Sequence, residues 1–376
     1  MKIVERGILA QGVPGTDRAV MTFPSLVALS SGELLGTCRA GSSKDADDEC
    51  PELYRSDDGG RSWSTRTRPW TAPEIEGMKG TLKICYLTET SPGNLLAASM
   101  WIDRQTYPGQ GLFNLKTEGC LPMAILLAES DDEGNTWSSW RVVPMPEEVG
   151  PPSLTSPVFQ LGDGSLGLSI ESNKTYRDAS KWYQKVVFFR SLDGGLSWGD
   201  PIVVGEDLSG RIFNWDQRVG VAADGRIVTF LWTYDNETRQ YLNVHRRLSS
   251  DRGETWSAAQ DLGFPDQPAH PAMLPDGRVV LAWVDRYQTH SIRARLSADI
   301  DAPFDPASEV VLYTHQEPSS QDFPQDDTGE LLGEMSLWIF GLPFAEVLPD
   351  GDVIIVYYAG SNHSMSCYWV RLNPNA

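Results

Sequence analysis

The chain has 376 residues, with 31 Lys and Arg against 51 Asp and Glu, a net charge of −20. That balance excludes binding to nucleic acid or to an anionic membrane through the overall field. A hydrophobic share of 40% excludes a disordered chain, and the absence of any run of 18 apolar residues means that no membrane-spanning helix is expected.

The opening MKIVERGILAQG has no apolar signal core, because Glu5 and Arg6 interrupt it. The five cysteines, Cys38, Cys50, Cys85, Cys120 and Cys367, are scattered with no CxxC pair. Both features predict a cytoplasmic protein without a disulfide framework. The five His residues form no ligand cluster, and no GxGxxG opening a helix, P-loop or HExxH is present. No metal or cofactor is therefore expected.

Two patterns then alternate along the chain. The first is a Gly turn between apolar runs, centred on Gly32, Gly93, Gly164, Gly225, Gly277 and Gly351. Each reads as a β-hairpin, as in LPDGRVVLAW. The second is Ser-x-Asp-x-Gly-x-x-Trp, at Ser56–Trp63, Ser130–Trp137, Ser191–Trp198 and Ser249–Trp256, with a decayed copy at Ser297 and Asp299. The turns recur at intervals of roughly sixty residues, a period that marks a repeat architecture. Each unit reads as four strands: a before the Gly turn, b after it, c leading into the Ser-x-Asp box and d beyond the Trp. The predicted fold is all-β, a six-bladed β-propeller with four antiparallel strands per blade, in one domain over 1–376. KIVERGILA is expected to supply the outer strand of the last blade and close the ring. Residues 300–340, rich in Pro, Ser and acids, read as a long irregular connection between blades 5 and 6.

In the box, Ser and Asp side chains can bond backbone N–H groups of a tight turn, Gly can take a positive φ, and Trp can pack between sheets. Too few oxygen ligands gather there for calcium. With these boxes and turns, and with TFPSLVALSSGELLGTCRAGSSKDADDECPELYRSDDGGRSW over 22–63, the chain resembles the sialidase (neuraminidase) superfamily of six-bladed propellers. The resemblance covers essentially the whole chain. It implies a ligand pocket at the end formed by the strand-a starts and the b–c loops, and a glycosidase acting on the terminal sugar of an oligosaccharide or glycoconjugate.

The resemblance also places the candidate residues. Blade 1 offers Arg39 and Asp45, and blade 2 Lys83, Trp101 and Arg104. Blade 3 offers Glu171 and Arg177; blade 4 offers Asp216, Arg218 and Tyr234. Blade 5 offers His270, Arg286 and Tyr287, and blade 6 offers Tyr357, with Asn362 nearby. Asp45 lies six residues after Arg39, where sialidases carry their acid/base Asp, so it is the expected proton donor. Its neighbours Asp47, Asp48 and Glu49 also allow a plain solvated acidic run. Asp216 lies nine residues before Gly225, where sialidases place an assisting Glu, and is the second catalytic candidate. The others are candidate substrate contacts: aromatic rings stack on sugar C–H faces and charged groups hold hydroxyls or carboxylates.

The departures from the family are specific. Thr22 replaces the first Arg of its Arg-Ile-Pro element, and the corresponding positions Lys83, Leu154, Trp215, Gln267 and Gly341 supply no Arg either. The triad that clamps a sialic acid carboxylate is absent or rebuilt, and no Tyr stands at the usual nucleophile position. The cations near the mouth suggest an acidic sugar of uronic or sialic acid type. A uronate lyase using Tyr287, His270 or His290 as base, and a non-catalytic carbohydrate-binding propeller, are the alternative readings. Oligomeric state is not legible.

Overall fold

The structure, a computed structural model, describes residues 1–316, 332, 333, 335, 337–361 and 363–376. Six antiparallel sheets surround one axis. Blade 1 is Val20–Ala28, Leu34–Gly41 and Cys50–Ser56; blade 2 is Gly80–Ser91, Asn94–Asp103, Met123–Ser130 and Arg141–Val143. Blade 3 has a divided inner strand, Ser153–Leu154 and Phe159–Gln160, then Leu166–Glu171, Lys185–Ser191 and Ile202–Glu206. Blade 4 is Ile212–Val221, Ile227–Asp235, Asn243–Ser249 and Gln260–Pro265. Blade 5 again divides its inner strand, Gln267–Pro268 and Ala272–Met273, before Val279–Asp285, Ser291–Ser297 and Phe304–Thr314. Blade 6 is Phe340–Val347, Val353–Ser361 and Ser364–Asn373.

The expected closure is present. Lys2–Ala10 pairs antiparallel with Ser364–Asn373 as the outer strand of blade 6. Blades 6 and 1 also meet through one parallel pair, Val20 with Met365. Each blade packs on the next around the whole circle, so the ring needs no capping repeat. Blade 1 departs from four strands: its outer position is only an isolated pair, Leu53 with Thr67. Among the described residues no helix is long and apolar enough to cross a membrane.

The 300–340 connection is shorter than expected. Phe304–Thr314 pairs with Ser291–Ser297 as strand d of blade 5. The run EVVLYT is rich in β-branched residues and outweighs the Pro and acid content that suggested irregular chain. Residues 317–331, 334 and 336 of that connection, and Asn362, lie outside the described residues.

The boxes are turn clamps. In the fourth, Ser249 Oγ accepts the Gly253 N–H at 2.9 Å while Asp251 accepts the Thr255 N–H at 2.9 Å. The other three repeat these bonds within a tenth of an ångström. Gly253 has φ +89, and a Cβ there would stand 2.2 Å from the Phe188 ring of the neighbouring blade. Glycine is thus required twice over, by conformation and by space. In the decayed copy Arg246 substitutes for the lost residues: its guanidinium donates to the carbonyls of Ile300 at 2.8 Å and Ala302 at 2.9 Å.

Candidate active site

At the opposite end all six inner strands lose register at one level. Bulges fall between Thr22 and Ser25, Leu82 and Ile84, Trp215 and Arg218, and Gly341 and Phe344. In blades 3 and 5 the inner strand is simply broken, after Leu154 and after Pro268. A bulge adds a residue, bends the strand and re-aims its side chain. Phe23, Lys83, Thr155, Asp216 and Leu342 are turned in this way into a central cavity of about 750 Å³. Phe23, Asp216 and Leu342 hold positive φ of 50, 47 and 47°, a conformation that costs a non-glycine residue on the order of 1–3 kcal/mol. The surrounding sheets sustain that strain at the place where side chains converge.

The wall from blades 1 and 2 is an ionic lattice. Asp45 receives Arg104 at 2.7 Å, Lys83 at 3.1 Å and the Leu112 N–H at 2.7 Å. Glu49 receives Arg39 and Arg104 at 2.6 Å each, Lys83 at 3.2 Å and the Thr81 hydroxyl at 2.8 Å. Burial alone would raise the pKa of Asp45, but Lys83 and Arg104 overcome it and hold the carboxyl well below its ordinary range. Glu49 is lowered by the same contest, with Arg39 added. Asp45 and Glu49 are therefore anchored anions. The solvated acidic run does not form, because Glu49 points inward and is fully buried.

The wall from blades 3 and 4 behaves oppositely. Glu171 ends strand b of blade 3, beside the break in strand a. One of its oxygens accepts the backbone N–H of Asp216. Asp216 pairs with Arg218 at 2.6 Å and accepts the Gln267 side-chain amide. Burial, then the charge of Asp216, pushes Glu171 up to about 8. Burial also raises Asp216, but Arg218 and Gln267 favour its charged form, so the proton resides on Glu171. Gln267 is itself oriented by Arg286, whose Nη2 donates to its oxygen at 2.5 Å. Arg286 also contacts Asp266 at 3.3 Å and lies 3.9 Å from the centre of the Trp338 ring. A Cβ on Gly341 would stand 2.6 Å from its Nη2, so glycine gives the guanidinium its place.

Between the walls runs an aromatic face. Trp182, Trp215, Trp232 and Trp338 all line the cavity, with ring centres 6.1, 5.6 and 5.3 Å apart in that order. Lys44 also reaches the cavity. Its Nζ donates to the carbonyls of Met335 and Trp338 at 2.7 Å each and lies 5.1 Å from the Tyr358 ring centre. Among the described residues no carboxylate pairs with it. Burial lowers its pKa well below the ordinary range, and Arg286, Arg39 and Lys83 push the same way.

Of the residues expected from sequence, Asp45, Lys83, Glu171 and Asp216 line the cavity. Arg39, Arg104, Arg218 and Arg286 stand behind them, each committed to a carboxylate. The remaining candidates sit elsewhere. Trp101 turns away between blades, donating to the Pro73 carbonyl at 3.0 Å, and its neighbour Met100 faces the cavity instead. Tyr357 packs outward against Tyr313 and Tyr368, while Tyr358 faces inward. Both corrections are parity errors: successive strand residues face opposite sides. Tyr234 packs behind Trp215, and Tyr287 stacks on Tyr241. His270 lies flat on Phe344, 4.3 Å away, and burial pushes its pKa down to about 3. Arg177 is exposed, over Tyr107. Trp182, Trp215 and Trp338 of the tryptophan face, and Gln267, were missed, because nothing in the repeat distinguishes a mouth-facing side chain from one packed between blades.

Solved structures give this architecture a name. One from Dyadobacter fermentans, described only as a protein of unknown function, superposes with a TM-score of 0.72 at 19% identity, covering 98% of this chain and 99% of the other. The intramolecular trans-sialidase of Ruminococcus gnavus, in complex with oseltamivir carboxylate, gives 0.66 at 15% identity, with 98% of each chain covered. The Trypanosoma rangeli sialidase gives 0.66 at 11% identity, over 98% of this chain and 58% of that one. The fold is the sialidase fold. No protein-family model and no curated protein matches the chain. At these identities the sialidase fold describes the scaffold, and the side chains at its mouth must supply the chemistry.

Proposed function

We propose that this protein is a glycoside hydrolase that takes the terminal sugar of an oligosaccharide or glycoconjugate into the central cavity. One observation carries the reading. A single cavity combines a tryptophan face with carboxyl groups of opposite protonation, Asp45 charged and Glu171 neutral. Hydrolysis of a glycosidic bond needs a proton for the departing oxygen and negative charge near an oxocarbenium-like centre. The rings supply stacking surface for the C–H faces of a sugar, and the volume suits a drug-sized ligand. The sialidase and trans-sialidase with this fold support a sugar as the ligand.

Lys44 favours an acidic sugar. Arg39, Lys83, Arg104, Arg218 and Arg286 are neutralised by the protein's own carboxylates, so they leave little charge for a substrate. Among the described residues Lys44 has no such partner, and Arg286, Arg39 and Lys83 oppose its charge, so a bound carboxylate would relieve it. The test is a turnover screen on aryl glycosides, with uronides and sialosides beside neutral sugars. An acidic glycoside is expected to be cleaved, and Asp216→Asn to abolish the cleavage. Turnover confined to neutral glycosides removes the acidic-sugar reading. Binding of a sugar with no turnover across the panel leaves a lectin-like propeller in place of an enzyme.

A further inference from the structure

We propose that Glu171, rather than Asp45, donates the proton to the departing glycosidic oxygen. The proposal rests on the hydrolase reading above and assigns its acid. Among the described residues three carboxyl groups line the cavity: Asp45, Glu171 and Asp216. The protein's cations are distributed unequally among them. Asp45 holds two at 2.7 and 3.1 Å, as well as a backbone N–H. Asp216 holds Arg218 at 2.6 Å and the Gln267 amide. Among the described residues no cation lies within ion-pair distance of Glu171. Its residue is only 7% exposed, so water cannot stabilise its charge either. An acid must hold its proton at working pH and surrender it in the transition state. Asp45, in its cage, cannot hold one.

The geometry explains why the proton has this home. Asp216 sits in the strand-a bulge with φ 47°. That turn presents its backbone N–H to Glu171 and its side chain to Arg218. Burial and the facing Asp216 carboxylate outweigh the more distant Arg218 and the backbone N–H groups that favour the charged form, and push Glu171 up to about 8. Asp45 takes a different part: a carboxylate this firmly charged is a weak base but a strong fixed field for positive charge at the sugar.

The step balances with water alone. The Glu171 O–H proton passes to the glycosidic oxygen. The C1–O bond breaks with its electron pair going to that oxygen, which leaves as an alcohol. Water forms the new bond to C1 and loses a proton to solvent, from which the Glu171 carboxylate is reprotonated.

Glu171→Gln keeps the shape and the acceptor for the Asp216 N–H, so it tests the acid and not the fold. Two readouts are needed. Infrared difference spectra of wild type against Glu171→Gln, taken at pH 7 without ligand, should show a protonated carboxyl band that the variant lacks. Glu346, also pushed up to about 8, keeps its own band in both and cancels. On a glycoside the wild type cleaves, Glu171→Gln should lose roughly 10²–10⁴-fold in kcat with an alkyl leaving group. With dinitrophenol, which leaves unaided, it should lose far less, and the alkaline limb near pH 8 should vanish. A missing band, an equal loss on both leaving groups, or the leaving-group signature appearing in Asp45→Asn overturns the assignment. Failure of every glycoside to turn over sinks the hydrolase reading and the acid role with it, whatever the infrared band shows.

Discussion

The two walls of the funnel start from the same material. Each brings a pair of carboxyl groups, Asp45 with Glu49 and Glu171 with Asp216, into a largely dry site, where burial alone would protonate them all. The first pair meets three cations and stays charged. The second pair meets one, and the loser of that competition keeps a proton. Counting acids therefore says little about their chemistry. What decides it is how many cations reach each carboxyl, and that depends on side chains from neighbouring blades far apart in sequence.

The sharpest way to break the comparison is to uncharge the first wall. Asp45→Asn leaves Lys83 and Arg104 facing Glu49 alone and removes the fixed negative field. On a cleaved glycoside kcat should fall on the order of 10²–10³-fold, with the circular dichroism spectrum unchanged. An equal loss for activated and unactivated leaving groups is the expected signature of a field effect.

The second wall should announce itself in stability. Glu171 is raised from 4.5 to about 8, so the folded state binds a proton that the unfolded state has released. Its contribution is fully present below about pH 4.5 and is lost as pH rises through about 8. Measured against Glu171→Gln, the wild type should lose on the order of 3 kcal/mol of unfolding free energy across that window. Glu346 adds a slope of the same sign and His270, held down to about 3, one of opposite sign, but both are present in the two proteins and cancel in the difference. Parallel curves for wild type and variant between those pH values would contradict the proton's placement.

Lys44 sharpens the contrast from the other side, as an amine that no carboxylate among the described residues answers. Lys44→Met should change stability by less than about 1 kcal/mol, since it relieves the repulsion from Arg286, Arg39 and Lys83 but leaves the carbonyls of Met335 and Trp338 without their donor. The same substitution should weaken binding of glucuronate and leave glucose unaffected, as read by calorimetry. Unchanged affinity for both sugars would make Lys44 a structural residue.

The fold was legible because it is written in local chemistry. A Gly turn or a Ser-x-Asp box is complete within eight residues, and six turns with four boxes fix blade number and strand order. Closure by Lys2–Ala10 followed from counting strands. Of the cavity lining, Asp45, Lys83, Glu171 and Asp216 were legible, from the strand starts and b–c loops that the family resemblance marked. The choice of Trp101 over Met100 and Tyr357 over Tyr358 failed because face parity depends on where a bulge falls. No composition signals that bulge. The protonation of Glu171 was beyond reach for the same reason: it depends on a φ of 47° at Asp216 and on the path of Arg218.

The smallest effect belongs to the end of the propeller that was easiest to read. Asp251 accepts the Thr255 N–H and hydroxyl and the Ser249 hydroxyl, which lower its pKa to about 2. Asp251 is half-buried at the surface, so water replaces part of what a substitution removes. Asp251→Ala should therefore cost roughly 0.5–1 kcal/mol in thermal unfolding, and kcat/KM should not change, because the box lies at the far end of the strands from the cavity. Gly253→Ala in the same turn should cost more than Asp251→Ala, since its Cβ would drive into Phe188 and its φ of +89 disfavours any side chain. If the two substitutions proved equal, or if either altered turnover, the separation of a structural end from a chemical end would fail. What recurs in every blade would then have to act at the site as well as build the ring.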